Sequence, residues 1–178
     1  MRDLTEIRWH ARAGQGAKTA SNILALALLR TGKSVQSFPE YGPERRGAPL
    51  RAYTRYSDHR VRRHDSIEEP DFVVVLDESL LGEQAVCDGV SATTMVLVNA
   101  DRAMPTLAGA AVHAVPTARF AGAGGGSFAN VAMLGAVAAA LGEPPLETLQ
   151  DAIVEALGAK ASPDALRAAA AEGFACLN

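Results

Sequence analysis

The run Phe72-Val73-Val74-Val75-Leu76 constrains this chain more than any other stretch. It is apolar at every position, so neither of its faces suits water. Lying between Pro70-Asp71 and Asp77-Glu78, it is too short for a buried helix. A strand covered on both faces satisfies it, as happens inside a parallel sheet. Such a strand needs neighbours on either side and cover above and below, and the rest of the chain supplies them. Ile7-Arg8-Trp9-His10 reads as a strand entering the small-residue turn Ala11-Arg12-Ala13-Gly14-Gln15-Gly16. From Ala17 to Arg30 the residues Ile23, Leu24, Leu26, Ala27 and Leu28 cover much of a helix, and Thr31-Gly32-Lys33 brings a glycine stop with a basic end. Ser34 to Phe38 reads as a second strand ended by Pro39, which completes a βαβ unit. Leu50 to Tyr56 alternates and predicts another strand; Met95-Val96-Leu97-Val98 and Val112-His113-Ala114-Val115 predict two more. Beyond Ser127 the pattern is helical over Phe128 to Leu141, Leu146 to Leu157 and Pro163 to Ala171. The expectation is a single Rossmann-like α/β domain over residues 1–178. It has a mainly parallel sheet of about six strands, helices on both faces and a helical C-terminal part.

Composition narrows the function. At 178 residues, 48% hydrophobic and 21% charged, the chain is an ordered globular domain and not a disordered one. A net charge of −3 offers no general attraction to nucleic acid or to an anionic membrane, so any anion site must be local. Cys87 and Cys176 stand without a C-x-x-C or a His/Cys cluster, so a disulfide framework, a four-cysteine iron–sulfur site and a structural zinc all lack donors. No apolar signal core opens the chain, and no stretch approaches about 18 apolar residues, from which a cytoplasmic location is expected.

Ala13-Gly14-Gln15-Gly16 lies where α/β proteins hold phosphates, between a strand and a helix. It departs from G-x-G-x-x-G, because Thr19 occupies the third glycine position, and from the Walker A pattern, because Ala17 separates Gly16 from Lys18. Spacing alone leaves two readings open, a phosphate-holding turn and a turn whose glycines let helix and strand pack closely. Tyr41-Gly42-Pro43-Glu44-Arg45-Arg46-Gly47-Ala48-Pro49 combines backbone-setting residues with paired guanidinium groups suited to carboxylate or phosphate. Arg51, Arg55, Arg60, Arg62 and Arg63 extend this basic stretch, which reads either as a solvated face or as an interface for a partner or anion. His10, His59, His64 and His113 show no metal-ligand spacing, and none is assigned a role. Asp77 or Ser79 reads as the cap of a helix beginning near Leu80, Gly122 to Ser127 as a flexible connection in preference to a second anion nest, and no nucleophile elbow is present.

Three segments taken together resemble the gamma subunit of 2-oxoacid:acceptor oxidoreductases, the pyruvate:ferredoxin oxidoreductase family. They are Ile7 to Ala20, Phe38 to Pro49, and Pro70-Asp71 running into Val73 to Asp77, with Asn130-Val131-Ala132-Met133-Leu134-Gly135 similar to the family's late helix. The resemblance covers nearly the whole chain. Ala11 and Ala13 stand where the family's turn commonly carries glycine.

The resemblance implies membership of a complex that oxidatively decarboxylates a 2-oxoacid to an acyl-coenzyme A. In that setting this chain by itself binds no cofactor. Thiamine diphosphate and [4Fe-4S] clusters lie in partner subunits, catalytic alpha and beta and an iron–sulfur delta, and coenzyme A is met at the assembled interface. The residues implied in coenzyme A handling are Gly14, Gln15, Gly16, Lys18 and Thr19, with Tyr41, Arg45 and Arg46. Pyruvate, branched-chain and aromatic 2-oxoacids such as phenylglyoxylate, and ferredoxin or a nicotinamide as acceptor, all remain open. The alternatives are a purely structural interface subunit and a free-standing nucleotide-binding enzyme, against which the broken glycine fingerprint speaks.

Overall fold

The computed structural model describes residues 4–40, 47–63, 65–120 and 128–177. In chain order the elements are β1 (Thr5–Arg12), α1 (Ala17–Arg30), β2 (Ser34–Pro39), β3 (Pro49–Ser57) and β4 (Phe72–Val75). A 3₁₀ segment (Glu78–Gly82) follows, then the one-turn helix α2 (Gln84–Cys87), β5 (Met95–Asn99) and β6 (Val112–Val115). After a short 3₁₀ turn, Thr117–Arg119, the chain ends in α3 (Ala129–Leu141), α4 (Leu146–Leu157) and α5 (Pro163–Ala175). The helix predicted to stop at Ala171 thus runs one turn further.

The strands form one six-stranded sheet in the order β2-β3-β1-β4-β5-β6. β4 is parallel to β1 and to β5, and Val73, Val74 and Val75 are fully buried, as the unalternated run requires. β3 is antiparallel to both β1 and β2 and lies between them, so the two strands of the predicted βαβ unit are not neighbours. β2 becomes the sheet edge, where Pro39 is tolerated inside the strand because no further strand needs its missing N–H.

The faces are covered unequally, where helices were expected on both. Ile7, Trp9, Val74 and Leu97 share one face, and the long helices α1, α3, α4 and α5 all pack there. On the other face, among the described residues, Val73, Val75, Val96 and Val98 are covered by Leu80 of the 3₁₀ segment, Val86 of α2 and nearby loop residues. The rest of that second face, on β1 and β3, is polar, and part of it is nevertheless sealed. Arg55 is fully buried, paired with Glu6 at 2.8 Å and with Asp65 at 3.5 Å, and is not on a solvated face.

On the helical face α3 and α5 touch backbone to backbone. A Cβ at Gly135 would stand 2.0 Å from the Ala170 carbonyl oxygen, and one at Gly173 would stand 1.8 Å from that of Ala132. Two reciprocal glycines therefore set this helix pair, and only hydrogen side chains fit.

Candidate functional site

The chain leaves β1 towards α1 on one face of the sheet and leaves β4 towards the 3₁₀ segment and α2 on the other. Adjacent parallel strands whose connections part in this way open a crevice beyond their carboxyl ends. Here it is a cleft of about 840 Å³. Gly14, Gly16, Lys18 and Thr19 form one wall, Leu80, Glu83 and Val86 another, and His10 with Leu50 and Arg51 lies between.

The glycine turn is shaped by two left-handed residues, Gly14 at φ 100° and Gly16 at φ 85°. That conformation suits glycine, and at Gly16 a Cβ would also fall 2.6 Å from Asn130 Nδ2. Gly16 is the N-cap of α1 and no side chain caps this end, so the N–H groups of the first turn are offered to the cleft.

Gln15 has a different task from its neighbours. Its Oε1 accepts from Arg12 N at 2.7 Å, and its Nε2 donates to Asp77 Oδ2 at 2.8 Å. Arg12 reaches the same loop, with Nε 3.4 Å from Asp77 Oδ2 and Nη2 donating to Ser79 Oγ at 2.8 Å. Of the two caps the sequence offers, Asp77 and Ser79, it is Asp77 that caps the 3₁₀ segment, by accepting from Ser79 N at 3.0 Å. Its carboxyl is held below the usual range, first by the Ser79 hydrogen bond and further by Gln15 and Arg12. One carboxylate thus fastens the turn after β1 to the loop after β4.

The floor is a buried polar group on β1 and β3. Arg8 and His10 are 1% and 3% exposed. Arg8 Nε donates to His10 Nε2 at 2.9 Å, and Arg8 Nη2 donates to the carbonyls of Val86 at 3.1 Å and Asp88 at 2.5 Å. Burial, then Arg8 and Arg51, push the His10 pKa down to about 3, so the ring is neutral at ordinary pH. Burial also lowers the Arg8 pKa. Arg51 Nη2 and the Tyr53 hydroxyl each donate to Glu40, both at 2.5 Å, and burial followed by that bond pushes the Tyr53 pKa up to about 12.

Of the residues singled out in the sequence, Gly14, Gly16, Lys18 and Thr19 come together on the cleft wall, and Gln15 turns away to Asp77. Tyr41, Arg45 and Arg46 lie outside the described residues, as do His64 and the Gly122 to Ser127 stretch. The flanks of the former segment do reach the site: Glu40 and Ala48 line the cleft, and Ala13 N donates to Ala48 O at 2.8 Å. Sequence reasoning did not find Arg8, His10 or the second role of Asp77. The available signal was the alternation of Arg8, His10 and Arg12 on one face of a strand that ends at the glycine turn. Among the described residues no group of three or more His, Cys, Asp or Glu side chains is arranged to hold a metal ion. Cys87 ends α2 and Cys176 follows α5, and both are free thiols.

A family model described as pyruvate ferredoxin/flavodoxin oxidoreductase matches residues 6–176. The pyruvate/ketoisovalerate oxidoreductases common subunit gamma of Thermococcus kodakarensis is 43% identical, over 88% of this chain and 91% of that one. The crystal structure of pyruvate oxidoreductase subunit PORC from Thermotoga maritima superposes with a TM-score of 0.80 at 37% identity, covering 98% of this chain and 97% of that one. The 2-oxoglutarate:ferredoxin oxidoreductase of Magnetococcus marinus, solved with 2-oxoglutarate, coenzyme A and succinyl-CoA bound, has a TM-score of 0.80 at 18% identity. That match covers 99% of this chain and 31% of the longer one, and is a likeness of fold alone.

Proposed function

Because this chain belongs to the pyruvate ferredoxin/flavodoxin oxidoreductase family and is a gamma-type subunit of such an oxidoreductase, we propose that its cleft receives coenzyme A where the assembled enzyme forms its acyl product. The observation that carries this reading is the uncapped N-terminus of α1, opening at the switch point between β1 and β4. Backbone N–H groups there suit a phosphate, Gly14 and Gly16 allow close approach, and Lys18 and Thr19 add a cation and a hydroxyl donor. Leu50, Leu80 and Val86 beside them suit the uncharged arm that carries the thiol. Tyr41, Arg45 and Arg46 join the reading through the family resemblance, since they lie in the chain between Glu40 and Ala48.

The remaining chemistry belongs to partners. With two scattered cysteines this chain is no cluster ligand, so [4Fe-4S] centres are assigned to a delta subunit and thiamine diphosphate to catalytic alpha and beta subunits. Those groups supply decarboxylation and electron removal when bound there. The choice of 2-oxoacid, pyruvate or a branched-chain relative, is assigned to them as well. No described helix is long and apolar enough to cross a membrane.

Steady-state kinetics of the assembled complex test the reading. Lys18→Gln removes one charge-assisted contact and should raise the coenzyme A KM about 3- to 10-fold. Gly16→Ala, strained at φ 85° and crowding Asn130, should do the same or more. Normal assembly with an unaltered coenzyme A KM in both variants would reduce the chain to a structural interface subunit.

A further inference from the structure

His10 is the polar group of this cleft that the reading above leaves unused. A guanidinium N–H can only donate, so the 2.9 Å contact from Arg8 Nε requires a lone pair on His10 Nε2. A neutral ring then carries its proton on Nδ1. Arg8 cannot swing away to release this tautomer, because its Nη2 is tied to the Val86 and Asp88 carbonyls. No hydrogen bond among the described residues uses Nδ1, and His10 lines the cleft.

The donors around the ring are already taken. Arg51, opposite His10 across β1 and β3, is paired with Glu40, and the donors of Arg8 rest on backbone carbonyls and on His10 itself. What the floor presents is therefore an N–H donor on a neutral ring beside Leu80 and Val86, set back in β1 from the cationic end at Lys18. Such a donor suits a carbonyl oxygen better than a phosphate, which the helix terminus takes.

We propose that His10 fixes the amide-bearing arm of the thiol substrate, its Nδ1–H donating to an amide carbonyl oxygen of that arm, while Arg8 acts as a positioning residue that holds the tautomer. This rests on the coenzyme A reading and adds to it the part of the molecule that the floor recognises.

Pantetheine, which has the arm but no phosphate, separates the two statements in the assembled complex. Lys18→Gln should raise the KM for coenzyme A and leave that for pantetheine alone. His10→Gln keeps an acceptor for Arg8 where Nε2 stood and loses the donor at Nδ1, so it should raise both KM values by a common factor of about 3 to 10. His10→Asn places an amide nitrogen where Nδ1 stood and should return both to within about 2-fold of the unmutated enzyme. Should His10→Gln fail to assemble, the unmutated complex decides with pantetheine whose amide carbonyls are replaced by methylene groups, expected to show the same loss.

If Lys18→Gln leaves coenzyme A unaffected, the coenzyme A reading fails and the proposal with it. If Lys18→Gln behaves as stated but His10→Gln changes neither KM, only the role of His10 is overturned. A loss in His10→Gln that His10→Asn does not restore overturns it too, because that result marks the packing of the ring and not its donor. An unchanged KM for the methylene analogue does so as well.

Discussion

The neutrality of His10 makes it a liability in acid. Its pKa is about 3 in the folded chain against an ordinary 6.5, so between these values the unfolded chain binds a proton that the folded one refuses. Stability therefore falls as pH drops from about 6.5 towards 3, by up to about 1.4 kcal/mol per pH unit, and His10 adds nothing above that range. Asp77, whose pKa is also lowered, acts in the same direction but further into acid: its contribution is complete above its ordinary 3.8 and is lost only below it. The window from about pH 6.5 to 4 thus belongs to His10 between these two. Thermal unfolding of the unmutated chain and of His10→Gln should diverge least in slope above pH 7 and most between pH 6 and 4.5, with the variant flatter. Parallel pH profiles would show that the ring is not held neutral. This residue also marks where the sequence stops being informative. The placement of Gly14, Gly16, Lys18 and Thr19 between strand and helix was legible because a strand, a glycine pair and a helix start are local patterns. A lone histidine has no such signature, and its role depends on Val86 and Asp88, brought to it by folding.

Among the elements, α1 was legible to the residue, because Gly16 and Gly32 bracket an apolar face, and β4 was legible because its composition allows only burial. The place of β3 was not. Alternation reports which residues share a face but not which strand lies alongside, and β3 enters between β1 and β2 by pairing with both. The α3–α5 contact was equally hidden, since Gly135 and Gly173 are unremarkable until their helices cross. Each can be tested by one methyl group. Gly173→Ala forces the helices apart or strains their backbones and should cost about 2–3 kcal/mol in denaturant unfolding. Gly82→Ala, where an added Cβ meets nothing within 4 Å, should stay within about 0.5 kcal/mol. Equal costs for the two would remove the close-approach argument.

For the whole molecule, the proposed division of labour between subunits predicts that the isolated chain oxidises no 2-oxoacid and holds no stoichiometric iron, since it has two cysteines and, among the described residues, no group of three His, Cys, Asp or Glu side chains arranged for a metal. Iron analysis with a dye-reduction assay checks both, and steady turnover by the chain alone would contradict it. The one-sided helical layer has its own consequence for how the molecule opens. Amides of β1, β4 and α3 lie beneath or within four long helices, whereas the 3₁₀ segment and α2 cover the second face with few apolar anchors among the described residues. Hydrogen exchange should accordingly divide into two classes. The first face exchanges only through global unfolding. The second exchanges through cheap local openings that uncover Arg8 and the cleft floor without disturbing the helices. A subunit that meets its substrate only within an assembly would then keep its fold while this wall of the cleft breathes, and docking against that wall would appear as slowed exchange confined to it.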